Sequence, residues 1–134
     1  MKIIVTLLLT IFTTSAVAQD SDGQALYQEY CASCHGENLE GQNDWQTPDE
    51  NGVRPAPPHD ETGHTWHHPY EMLFYYTKLG GEGFAKAQNM QPFPSGMPAF
   101  GEQLSDEQID NILRYIESSW PAQIIDMREE RFGD

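Results

Sequence analysis

The pentapeptide Cys31-Ala32-Ser33-Cys34-His35 constrains this chain more than any other stretch. C-x-x-C-H is the spacing used for covalent attachment of a c-type haem. Two thiols three positions apart on a helical turn can each add across a haem vinyl group, and the adjacent histidine is then delivered to the iron as its proximal ligand. Two other chemistries use paired cysteines. A thioredoxin-like redox pair wants a surrounding βαβ pattern, which this sequence lacks, and a zinc site needs further ligands at suitable spacing. The motif therefore nominates Cys31 and Cys34 as attachment points and His35 as an iron ligand.

The 134 residues suffice for one small domain. Its beginning reads as a secretory signal: Lys2 is a short positive region, Ile3 to Phe12 an apolar one, and Ala16-Val17-Ala18 an A-x-A cleavage signature. We expect a signal peptide over 1–18, cleavage after Ala18, a single domain over 19–134 and a periplasmic location. An uncleaved signal acting as an anchor is the alternative, and no later stretch could span a bilayer. Export fits the motif, because an oxidising compartment would otherwise tend to turn the only two cysteines into a disulfide. A disulfide-free domain of this size has a limited core, so a buried haem would add apolar surface to pack on, and the apo-chain is expected to be largely unfolded.

Seven Lys and Arg stand against 21 Asp and Glu, a net charge of −14 that becomes −15 once Lys2 leaves with the signal. Such a balance argues against nucleic acid as a partner. It serves either solubility alone or steering toward a basic docking patch on a redox partner, in fast, salt-sensitive encounters.

Along the chain, Ser21 with Gln24 has the form of a capping box and predicts a first helix from about Asp22 to the pentapeptide, with Leu26, Tyr27 and Tyr30 as its apolar stripe. From Gly36 to His68 there is no periodicity, and Pro48, Pro55, Pro57 and Pro58 exclude long regular elements, so this is a loop wrapped around a ligand. Pro69 suits the first position of a second helix, whose Met72, Leu73, Tyr76 and Leu79 form one face and whose stop is Gly80-Gly81. Residues Glu82 to Gln103 read as irregular. The last helix is the best marked: Ser105 and Gln108 form a capping box, Leu104 and Ile109 a hydrophobic staple, and Ile109, Ile112, Leu113, Ile116 and Trp120 a single apolar face ended by Pro121. The tail to Asp134 either adds a helical turn or frays.

These residues resemble the small bacterial class I cytochromes c over nearly all of the mature chain. Gly23-Gln24-Ala25-Leu26-Tyr27 followed by Cys31-Ala32-Ser33-Cys34-His35-Gly36 is similar to that family's first helix and attachment site, Gly96-Met97-Pro98-Ala99-Phe100 to its methionine loop, and Leu104 to Trp120 to its final helix. The resemblance implies an all-α cytochrome c fold of three to four helices with long loops around one haem c. It implies a crossing of the first and last helices that pairs Gly23 and Tyr27 with Ile112 and Tyr115. It also implies Met97 as the distal iron ligand, with Met90 as the rival, and a proline carbonyl, that of Pro57 in first place, accepting from the proximal histidine.

The departure from the simplest family pattern is the run from His59 to His68. His59, His64, His67 and His68 line the haem edge or the surface in one reading, with Trp66 donating its indole N–H to a propionate. In another they bind copper or zinc beside Asp60 or Glu61, making a metal-handling or sensing module. The expected function is single-electron transfer between a redox donor and acceptor, without a small-molecule substrate and with the membrane touched only through partners. Nothing beyond the haem resembles a catalytic constellation, so the chain is not expected to be an enzyme, and a gas sensor with a labile sixth ligand is the remaining alternative.

Overall fold

The computed structural model describes residues 16–133, with side chains from Asp22 onward. Its regular elements are α1 (Ala16–Tyr30), α2 (Ala32–His35), α3 (Tyr70–Ala87), α4 (Asp106–Ser118) and α5 (Ala122–Phe132), with a 3-10 turn at Thr65–His67. The fold is all-α, with five α-helices among the described residues instead of three or four. The expected signal peptide falls outside the described residues apart from the backbone of 16–18. Among the described residues no helix is long and apolar enough to cross a membrane.

The core is the crossing of α1 and α4. Ser105 starts α4 with a reciprocal cap, its hydroxyl accepting from Gln108 N–H at 3.2 Å while its own N–H donates to the Gln108 side chain at 2.9 Å. The stripe that follows, Ile109, Ile112, Leu113 and Ile116, is buried together with Tyr27, Leu104 and Trp120. Gly23 makes the approach possible: a Cβ there would lie 2.2 Å from the Asn111 carbonyl oxygen and 3.0 Å from Tyr115 Cβ. One turn on, the buried Tyr27 ring meets Tyr115 at 5.4 Å between centroids. Across from this pair, Tyr70 of α3 donates to Asp110 of α4, and Lys78 reaches Asp106 at 2.6 Å.

Three elements differ from the sequence reading. Helix α1 is already helical at Ala16, the first described residue, upstream of Asp22, so Ser21 lies inside the helix and not at its cap. Alanine and glutamine ahead of Ser21 favour helix, and nothing there breaks it. The first run of α3 does end at Gly80, as the glycine pair predicts, and the correction falls on Glu82 to Gln103, which reads as irregular but carries a second helical run. Gly80 leaves helical geometry at φ 70°, ψ 167°, and the helix resumes to Ala87 because Phe84 and Ala85 have a core to enter. The tail forms a full helix, α5, anchored by a side chain that apolar periodicity does not register. Arg128, only 2 % exposed, donates to the carbonyls of Trp66 at 2.9 Å and His68 at 2.6 Å and lies over the Trp120 ring at 4.9 Å.

Candidate functional site

The pentapeptide continues directly from α1 as a tight turn. Cys31 N–H donates to Tyr27 O at 2.8 Å and His35 N–H to Cys31 O at 2.9 Å, which sets Cys31 and His35 inward and Cys34 at the surface. Neither thiol is engaged in a disulfide. Burial, with the neighbouring Cys34 thiol, pushes Cys31 up to about 11. Tyr27 pins the end of the turn, its hydroxyl donating to Gly36 O at 2.9 Å, and burial raises its pKa so that it stays a donor.

His35 is 7 % exposed, and its Nδ1 lies 2.8 Å from the carbonyl oxygen of Pro57. A carbonyl only accepts, so Nδ1 carries the proton and Nε2 keeps its lone pair. Burial lowers the pKa of His35 and favours the neutral ring, against the opposing effect of the Pro57 hydrogen bond. This is the tautomer and charge state that a metal-ligating histidine needs.

Pro57 reaches that position because the loop folds back on itself at two glycines. Gly41, at φ 67°, donates to His35 O at 2.7 Å, and a Cβ on it would stand 2.3 Å from Pro58 N. A Cβ on Gly63 would stand 2.0 Å from Pro58 O. Each glycine lets backbone lie against backbone at the prolines, a closeness no side chain permits.

Met97 sits in the segment between α3 and α4, docked on the kink of α3. Gly81 N–H donates to Met97 O at 3.2 Å, while Phe100 and Gly101 N–H donate to Thr77 O and Lys78 O at 3.2 and 3.0 Å. A Cβ at Gly80 would lie 2.7 Å from Ala99 N, and one at Gly81 would lie 2.1 Å from Ser95 Oγ. The double glycine that stops the first run of α3 is thus also a seat for the methionine segment. That Phe84 and Ala85 extend the apolar spacing past it was the signal that could have shown this. An open cleft of about 470 Å³, lined by Leu79, Gly80, Ser95, Gly96, Met97 and Pro98 among others, opens here, and Cys31, Cys34 and His35 are not among its lining residues. Phe100, three residues after Met97, meets Tyr30, the residue before Cys31, edge to face at 6.4 Å. Met90 is half exposed and is not among the cleft's lining residues.

The four loop histidines do not converge. His59 stacks on His35, His64 Nδ1 lies 3.1 Å from His68 Nε2 with Trp45 stacked on His64, and His67 lies against Trp66. Trp66 directs its indole N–H to Glu61 O at 3.3 Å, a partner inside the loop. Among the described residues no group of three or more His, Cys, Asp or Glu is arranged to hold a metal ion. Thr65, Trp120 and Arg128 carry no motif, and the sequence reading gave none of them a role at the site.

Two free thiols and a buried imidazole with its Nε2 lone pair available suit a thioether-linked haem with one protein ligand to its iron. The family model for cytochrome c matches residues 21–120, three quarters of the chain. No curated protein and no solved structure matches it. With the attachment motif, the all-helical fold and that match in agreement, the chain belongs to the cytochrome c family and is a haem-binding electron-transfer protein carrying covalently bound haem c.

Proposed function

We propose that this cytochrome is an exported single-electron carrier of the class I type. In this reading Cys31 and Cys34 bear the thioether bonds, His35 is the proximal ligand and Met97 the distal one. The observation that carries it is the His35 Nδ1 contact with Pro57 O, which commits one ring nitrogen and leaves the other for iron. The haem supplies a reversible one-electron iron couple. The chain's own residues hold the ligands in one geometry through both oxidation states, and each part of that task has a named support. Pro57 fixes the direction of the His35 ring and raises its basicity. Gly80 and Gly81 seat the methionine segment against α3. Tyr27 and Gly36 close the attachment turn onto the core.

A thioether opposite an imidazole favours the ferrous state and raises the potential. An iron saturated by two protein ligands has no open position for substrate, which supports a carrier over an enzyme. The acidic surface supports partners with basic docking patches, one donor and one acceptor in a respiratory chain, and the A-x-A signature supports the periplasm. Trp66, whose indole N–H lies 3.3 Å from Glu61 O, is the propionate donor in this reading.

The test is the absorption spectrum of the matured protein, oxidised and reduced, with carbon monoxide then added to the reduced sample. A low-spin spectrum with the weak far-red band of methionine ligation, unaltered by the gas, is expected. Met97→Ala should lose that band, lower the potential and admit the gas. A variant with the unaltered spectrum removes Met97 from the iron, and a prompt response of the unsubstituted protein to the gas favours the sensor reading.

A further inference from the structure

His59 has no part in the function proposed above, yet its ring lies flat against that of His35. The two rings are stacked, with centroids 4.0 Å apart and planes inclined by 21°. His59 is itself held on several sides. Its Nδ1 pairs with Thr65 Oγ1 at 2.8 Å, and that hydroxyl lies 3.4 Å from Pro58 O. Its backbone N–H donates to Leu39 O at 2.7 Å, its carbonyl accepts from Trp120 Nε1 at 2.7 Å, and the Tyr27 ring meets it edge-on at 6.2 Å.

A single hydrogen bond to an imidazole fixes a line and leaves the ring free to turn about it. The Pro57 carbonyl defines that line for His35. A ring stacked on its face defines the plane. Both constraints come from one three-residue segment, Pro57 to His59, which Leu39, Thr65 and Trp120 tie to the rest of the molecule. We infer that His59 is a positioning residue: through the stacked contact and its Thr65 tether it sets the plane of the His35 imidazole, and with it the electronic axis of the ligated iron. The inference rests on the reading of His35 as proximal ligand. It concerns orientation, which the attachment motif and the Pro57 contact leave open.

The experiment uses the mature holoprotein and reads the haem-methyl resonances of the oxidised form by NMR, whose order and spread follow the orientation of the axial imidazole. His59→Ala should shift and reorder these resonances and change the reduction potential. His59→Phe, which keeps a ring on the His35 face, should return the pattern toward that of the unsubstituted protein. Thr65→Val, which unties Nδ1 and leaves the ring, should give a smaller shift in the same direction as His59→Ala. Ile116→Val serves as the control, lowering stability without moving the pattern. A His59→Ala spectrum superimposable on the unsubstituted one overturns the inference. Should that variant yield no holoprotein, Thr65→Val decides alone, and an unmoved pattern overturns it. In the reduced protein, ring-current-shifted imidazole signals of His35 establish the ligand itself. Their absence overturns ligand and positioning together, whereas their presence with unmoved patterns in the His59 and Thr65 variants overturns positioning alone.

Discussion

The crossing of α1 and α4 and the loop from Gly36 to Pro69 are held by different physics. The crossing is a packed apolar face: Tyr27, Ile109 and Ile112 are fully buried, and Gly23 brings a helix backbone onto the Asn111 carbonyl. The loop buries little aliphatic surface and is held atom to atom, by His35 on Pro57 O, His59 N–H on Leu39 O, Trp120 on His59 O and Arg128 on Trp66 O and His68 O. Apolar contacts are non-directional and set how stable the domain is. Hydrogen bonds are directional and set where a ring points. The crossing should therefore govern stability, and the loop the geometry at His35.

The widest separation should come from Gly23→Ala. The new methyl would meet a backbone carbonyl at 2.2 Å, which cannot rotate away, so one helix must shift along the whole crossing. Overpacking of this kind costs about 3 kcal/mol. Denaturant unfolding of the holoprotein should show the loss as a lower midpoint, while the spectrum of the folded fraction keeps its bands. An unchanged midpoint would mean that the helices are not in backbone contact.

Arg128→Met makes the converse attack. It keeps an unbranched apolar stem under Trp120 and Phe132 but removes the donors to two loop carbonyls. Hydrogen bonds from a charged group are worth about 1.5–3 kcal/mol, and relief of the buried charge offsets part of that, so we expect a loss of about 2 kcal/mol. Limited proteolysis should find the segment 59–68 cut sooner than in the Gly23 variant at matched stability. Equal susceptibility would detach α5 from the loop. This helix lies beyond the residues matched by the family model, which end at 120, so the brace is an addition to the matched domain.

Ser105→Ala perturbs the crossing more gently. It removes the acceptor for Gln108 N–H and half of a reciprocal cap, at about 1 kcal/mol. The unfolding midpoint should fall, with the loop's proteolysis rate following global stability alone. A larger loss would show that the cap also positions the methionine segment that leads into it.

The same contrast explains what could be read without coordinates. Helix α4 was legible from its cap through Ile116, because a capping box and an apolar period are written in sequence order, while Trp120, read as part of that face, lies past the end of the helix at Ser118. Gly23 was assigned to a helix contact through the family resemblance. The loop's partners are separated by up to 62 positions, as in Arg128 to Trp66, and follow no period. Pro57 was reached only through the family resemblance. The stack of His59 on His35 and the Trp120 anchor were hidden because a ring at a given position carries no mark of the face it will meet. Gly80-Gly81 was legible as a helix stop, and its second use was hidden for a related reason: a glycine pair signals a departure from helix, and only the docked segment tells what that departure makes room for.

Acid supplies the smallest test, and it acts on the loop. Burial and the charges of neighbouring residues, His67 and Arg54 around His64, and His64, His67, Arg128 and Arg131 around His68, lower the pKa of both histidines. In the unfolded chain each takes a proton near pH ~6.5, whereas in the folded protein each resists it. Between those values the unfolded state binds more protons, so stability is fully present above about pH 6.5 and is lost as the pH falls toward the folded values. Unfolding midpoints of the holoprotein should decline from pH 7.5 to 5.5, and more shallowly for the His64→Gln, His68→Gln double variant. The α1–α4 crossing has no histidine, so Gly23→Ala should lower the whole curve without changing its slope. If the double variant declines as steeply as the unsubstituted protein, the paired rings are not what the acid reaches, and His59, whose pKa burial also lowers, becomes the group of the loop to substitute next.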